Sequence, residues 1–187
     1  MPTGDERPAA DLSVRVAWAD DAAGIARVQL AVWHADHGLA DDPGLTAALP
    51  SLEEVAAAWH RSLQAPGDAR NRVLVALEQN IVQGFVVCQP SGDPDSDPVA
   101  DAEISELAVL AEHRHRGHGS RLLQAAADTL HADRFTRATF WLTTDDDALR
   151  AFLTGAGWAP DGAHRTLDLD GTGTTLVKQV RLHTALG

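Results

Sequence analysis

EISELAVLAEHRHRGHGSRLL, residues 103–123, reads as a strand, a basic turn holding two glycines, and a helix. Glu103 to Leu110 is rich in Ile, Leu and Val without Gly or Pro, and is the length of an ordinary strand. From Gly117 to Leu130, apolar residues recur at helical spacing (Leu122, Leu123, Ala126, Ala127, Leu130), which predicts an amphipathic helix. Between them lies Arg114-His115-Arg116-Gly117-His118-Gly119. Glycines there admit positive φ and let a ligand reach bare main chain. A helix opening at such a turn presents unpaired N–H groups and its positive dipole end, which suits a pyrophosphate. Arg114, Arg116 and Arg121 add charge where phosphate oxygens would sit.

Two familiar phosphate motifs fail on residues. A dinucleotide fold needs G-x-G-x-x-G and an acid about 20 residues on for the ribose. Here Gly117-His118-Gly119 is followed by Leu122 in the third position, and the next strand ends Trp141-Leu142-Thr143. A Walker loop needs G-x-x-x-x-G-K-[ST], and the only lysine is Lys178. What remains resembles the GNAT superfamily of acyl-CoA-dependent N-acyltransferases, whose pyrophosphate signature [QR]-x-x-G-x-[GA] is matched by Arg114, Gly117 and Gly119. The E-I-x-x-L-x-V strand before it, the S-x-L-L after it and a later F-x-x-x-x-G-W block (Phe152 to Trp158) support the resemblance, which runs from about Val14 to Leu186. It implies an α/β (α+β) GNAT fold: a mixed, mostly antiparallel twisted sheet of about seven strands flanked by about four helices.

Composition sets outer bounds. At 187 residues and 44% hydrophobic, a single globular domain from residue 13 to 187 is expected, after a polar, Pro-containing tail over 1–12. No apolar run approaches the ~18 residues of a membrane span, and MPTGDERPAADLS has no signal-peptide core. One cysteine, Cys88, excludes an intrachain disulfide and suits a reducing cytoplasm; within FVVC it reads as a small core residue. A net charge of −12 argues against a nucleic-acid partner.

Elsewhere, Ser13 to Trp18 alternates as a first strand, and a helix capped by Asp20 or Asp21 runs to about His34. Ser51-Leu-Glu-Glu54 is a capping box opening a second helix. Arg72 to Leu77 and Ile81 to Cys88 form a hairpin turning near Gln79-Asn80. QPSGDPDSDPVA, residues 89–100, reads as an exposed loop whose aspartates are solvated. Thr136 to Leu142 is a strand, and Asp145 to Gly155 a helix with three acids in its first turn. Ala163 to Leu169 and Thr175 to His183 are the last strands, turning at Gly171-Thr-Gly173.

The resemblance also implies chemistry: acetyl transfer from acetyl-CoA to a small-molecule or peptide amine. An alkylamine with a pKa of about 10.4 arrives charged, so a base must take its proton. Glu103 stands where many family members place their catalytic glutamate; Glu106, three positions on, is the competitor, and strand alternation puts the two on opposite faces. By resemblance, Leu107, Ala108 and Val109 meet the pantetheine arm, an N–H there polarising the thioester carbonyl. Arg114, His115, Arg116, Gly117, His118, Gly119 and Ser120 hold the pyrophosphate, and Asp146 stands where the family has a pantetheine-binding asparagine. Trp33, Asp36, His37 and Asp42 are the acceptor-pocket candidates. The family's leaving-group tyrosine is replaced by Leu153, and the chain contains no tyrosine, which favours as an alternative a non-catalytic acyl-CoA-binding module. Histidines 113, 115 and 118 cluster, but beside three arginines a divalent cation meets repulsion and no zinc spacing is matched, so no metal is expected. Pairing of the last strands between subunits, common in the fold, implies a homodimer.

Overall fold

The computed structural model describes residues 12–36, 50–168, 171–174 and 176–187. Seven strands, β1 (Leu12–Val16), β2 (Arg72–Glu78), β3 (Ile81–Pro90), β4 (Asp101–Val109), β5 (Arg137–Thr143), β6 (Ala159–Asp168) and β7 (Leu176–Ala185), form one sheet in the order β1-β2-β3-β4-β5-β7-β6. The β4–β5 pair is parallel; β1–β2, β5–β7 and β6–β7 are antiparallel. Among the described residues the helices are α1 (Ala22–Asp36), α2 (Leu52–Gln64), α3 (His118–Ala132) and α4 (Asp147–Gly155), as the expected mixed α/β fold requires. No described helix is long and apolar enough to cross a membrane.

Contacts group the chain into two units. The first comprises residues up to Val87 with Glu106–Ala126. On α1, Ala22, Ile25, Ala26, Val28 and Gln29 are buried, the stripe that a 3.6-residue period dictates. Ile25 and Val28 pack with Val75, Leu77, Val82 and Phe85 of the β2–β3 hairpin. That hairpin turns on Gln79 and Asn80, both at positive φ (52° and 63°), the two-residue turn whose twist suits paired strands. The Ser51 box forms as expected: Ser51 Oγ accepts from the Glu54 amide and Glu54 accepts from the Ser51 amide. β3 and β4 approach closely at Gly84, where a Cβ would lie 2.7 Å from the Ala108 carbonyl oxygen.

The second unit comprises Cys88–Ser105 and Ala127–Gly187. Its core includes Phe140 edge-on to Trp158, the fully buried Leu153, and Leu182. The buried Thr139 hydroxyl donates to the Ala102 carbonyl, within the parallel register Asp101↔Arg137 to Ile104↔Phe140.

Three expectations need correction. The last hairpin is longer: β6 begins at Ala159 and carries Pro160, tolerable because β6 is the sheet's outermost strand and its register shifts between Pro160 and His164. α4 begins at Asp147, so only one acid lies in its first turn; Asp146 is the cap, accepting from the Leu149 amide at 2.9 Å. The segment 89–100 is anchored, as its side chains show below. The N-terminal tail lies outside the described residues except Leu12, which opens β1.

Candidate active site

The strand–turn–helix at 103–123 is built as the sequence predicts, with a short 3-10 turn at Ala111–His113 between β4 and the basic segment. His115 (φ 59°) and Gly117 (φ 88°) both turn left-handed, which reverses the chain and points it into α3. The first helical bond runs from the Arg121 amide to the Gly117 carbonyl, so the N–H groups of His118, Gly119 and Ser120 precede the internal ladder. A Cβ at Gly117 would meet the Arg121 guanidinium at 2.8 Å, so that cation lies over the bare Cα. Arg114 Nε donates to the Val109 carbonyl, tying the turn to the strand end. The result is a surface that can cradle a phosphate: free helical N–H groups, a backbone without side chain, and guanidinium at its edge.

Three of the turn's side chains, His113, Arg116 and His118, meet at Glu78. His118 is 1% exposed, and its Nε2 lies 3.3 Å from Glu78 Oε2 at the end of β2. His113 Nδ1 lies 3.0 Å from the same oxygen, and Arg116 donates to Glu78 Oε1 at 2.6 Å. Burial pushes the Glu78 carboxyl up, but hydrogen bonds from His113 and His118 and the Arg116 charge outweigh it and hold it below the usual carboxylate range. His118 therefore offers a ligand its main chain, not its ring.

In the second unit, Glu103 is half-buried on β4. Burial pushes its carboxyl above the usual range, the Asp93 carboxylate adds to the rise, and Arg165 opposes it. Asp93 and Arg165 line a cavity of about 640 Å³ with Trp141, His164 and Arg181. Arg181, 4% exposed, organises this wall: it donates to Asp93 at 3.0 Å, to both oxygens of Asp95 at 2.8 and 2.6 Å, and to Asp161 at 2.8 Å. Hydrogen bonds from Arg181 pull Asp95 down to about 2, against a smaller burial cost. Trp141 donates its indole N–H to Asp93 at 2.9 Å, and the Arg165 guanidinium stacks 4.2 Å above the ring. Asp93 and Asp95 are thus ion-pair partners and not merely solvated. Sequence reading missed them because their arginine lies 88 and 86 residues away.

Glu106 belongs to the first unit. Both its oxygens accept from one amide nitrogen: Gln29 Nε2 donates to Oε2 at 3.0 Å and to Oε1 at 3.2 Å. Gln29 in turn accepts from the Trp59 indole N–H at 2.8 Å. Burial pushes Glu106 upward and the Gln29 bond opposes it. Gln29 and Trp59 line a second cavity, of about 410 Å³, between α1 and α2; Trp33 lines it too. Asp36 is the last residue of α1, while His37 and Asp42 lie outside the described residues. Of the pantetheine candidates, Leu107 and Val109 are part-buried and Ala108 is buried in the core beside Phe85. Leu153 is fully buried, so its position presents no polar group to a ligand.

The acetyltransferase (GNAT) family model matches residues 43–158, more than half of the chain. A mycothiol acetyltransferase of Kineococcus radiotolerans is 33% identical over 92 residues, which is 49% of this chain but 28% of that protein; the chain thus spans under a third of its length. Among solved structures, yncA from Salmonella typhimurium with its cofactor acetyl-CoA superposes with TM-score 0.67 at 19% identity, over 94% of each chain. The ribosomal-protein-S18-alanine N-acetyltransferase of Escherichia coli superposes with TM-score 0.64 at 13% identity, again over 94% of both.

Proposed function

The chain belongs to the acetyltransferase (GNAT) family, and from that premise we propose that it moves an acetyl group from acetyl-CoA to a primary amine within a ternary complex, Glu103 acting as general base. One observation carries most weight: the Arg114-x-x-Gly117-x-Gly119 turn, with positive φ at His115 and Gly117, opening onto the N-terminus of α3. Those groups fit a pyrophosphate because they offer N–H donors and cationic side chains without a Cβ in the way. Acetyl-CoA, when bound, supplies the acetyl thioester. The residues' share is to hold phosphate on the 114–120 turn, to receive the pantetheine arm along Leu107–Val109, and to take a proton from the acceptor ammonium at the Glu103 carboxylate. A raised pKa makes Glu103 a stronger base than an exposed carboxylate, which suits that task. The acceptor is an amine on a small molecule or peptide, bound with help from Trp33, Asp36, His37 and Asp42. The protein works in the cytoplasm, as a homodimer through its last strands; the buried lone Cys88 agrees with the first of these.

A second function is favoured by a specific feature. The family's proton-donating tyrosine is here the buried Leu153, and no tyrosine exists elsewhere. An acyl-CoA-binding module without turnover would need no such donor. Thiol release from acetyl-CoA across an amine panel separates the two. Release with some amine supports the transferase; tight acetyl-CoA binding with no release across a broad panel supports the module.

A further inference from the structure

Glu78 is the one carboxylate that reaches beneath the phosphate turn among the described residues' bonded contacts, and its position is costly for a polyanion site. On charge alone, a carboxylate under an anion cradle weakens anion binding. Its contacts give it another role. Glu78 is the last residue of β2, immediately before the left-handed Gln79-Asn80 turn, so its backbone is fixed on a rigid hairpin. From there it receives Arg116 at Oε1 (2.6 Å) and faces His113 and His118 at Oε2 (3.0 and 3.3 Å). Those three residues flank both left-handed positions of the turn. His118 is the buried first residue of α3, and a buried imidazole requires a partner.

The set Glu78, His113 and His118 also has donor atoms all within 4.8 Å of one another, an arrangement a transition metal accepts. The carboxylate, however, already holds a cation: Arg116 sits on it at 2.6 Å and also approaches His113 Nδ1 at 3.2 Å. Charge is balanced without a metal, and a divalent ion would have to expel the guanidinium.

We propose that Glu78 is a positioning residue that fixes the 113–118 turn in its anion-binding shape, with Arg116 serving as a strut to Glu78 in place of a phosphate contact. The proposal rests on the reading of this turn as the acetyl-CoA phosphate site. Pre-organisation spares a ligand the cost of ordering the loop, so losing the brace costs affinity even though it removes a repulsive charge. The sign is therefore diagnostic. Calorimetric titration of the full chain with acetyl-CoA should give a Kd roughly five- to twentyfold weaker for Glu78→Gln than for wild type. Electrostatics alone gives the opposite change. Should Glu78→Gln fail to fold, Glu78→Asp keeps the charge but shortens the reach, and the same weakening is expected. An unchanged or tighter Kd, even with a lowered Tm, overturns the proposal, because the residue would then serve stability only. Saturable one-to-one zinc binding by wild type that is lost in the variant also overturns it, by assigning the cluster to a metal. Failure of wild type itself to bind acetyl-CoA would instead remove the reading of the turn on which the proposal rests.

Discussion

Glu103 and Gly84 show how much one residue's surroundings decide. A general base acts only when deprotonated, so a carboxyl raised by burial and by Asp93 loses activity as pH falls through a value above the usual carboxylate range. Initial rates from pH 4 to 9 should show an acid limb in that region, and Glu103→Gln should lower the rate by about 10²-fold or more and abolish the limb. Undiminished acetylation by Glu103→Gln at every pH would discard this base. The same experiment on Glu106→Gln then becomes decisive, since the Glu106–Gln29–Trp59 chain reaches the cavity that Trp33 lines. Gly84 is a matter of space alone. A methyl there would sit 2.7 Å from a backbone oxygen, 3.0 Å from Val109 and 3.2 Å from Leu122, with no flexible group to move aside first. Gly84→Ala should cost about 1–3 kcal/mol in urea unfolding. A neutral result would mean that β3 and β4 part more easily than their packing suggests.

At the scale of elements, residues 89–100, the first two of which still belong to β3, are the clearest case of tertiary structure reversing local expectation. Gly, Pro, Ser and Asp mark residues 89–100 as a surface loop, and so they are in composition. Yet Ser91 is buried and its amide donates to the Asp101 carbonyl, while Arg181 of β7 gathers Asp93 and Asp95. Asp95 drops from its ordinary 3.8 to about 2 as a result. A depressed carboxylate pKa contributes stability above the unfolded value and loses it as pH falls toward the folded one. Wild type should therefore lose stability between pH about 4 and 2 more steeply than Asp95→Asn, read from denaturant midpoints at stepped pH. Equal slopes would show that the ion pair is absent in solution. The start of α2 was legible for a different reason, whereas Asp20 and Asp21 lie in a 3-10 turn ahead of α1 and do not cap it. Ser51 and Glu54 sit three residues apart and satisfy each other's backbone whatever surrounds them. The start of α4 was misplaced because three consecutive aspartates offer three equivalent caps, and only the fold selects Asp146.

For the whole molecule, the proposed function makes acetyl-CoA a stabilising ligand by mass action. At one hundred times its Kd it should raise unfolding free energy by about 2.7 kcal/mol, visible as a higher Tm, while NAD leaves Tm in place. A shift with NAD and none with acetyl-CoA would contradict the proposed function. For the described residues, the sequence by itself marked the seven strands and four helices, apart from the bounds of the last hairpin and of α4, the hairpin turn near Gln79-Asn80 and the glycine turn at Gly117, since these are written in periodicity, caps and turn residues a few positions apart. It also marked the glycine turn proposed to hold phosphate, whose suitability lies mainly in backbone geometry. Only the tertiary structure decided which polar side chains meet: Glu78 with His118 forty residues on, Gln29 with Glu106 seventy-seven on, Asp93 with Arg181 eighty-eight on. Those pairings follow from the packing of helices and a connecting segment onto the ordered strands, which places distant segments side by side, and no local pattern of residues carries that information.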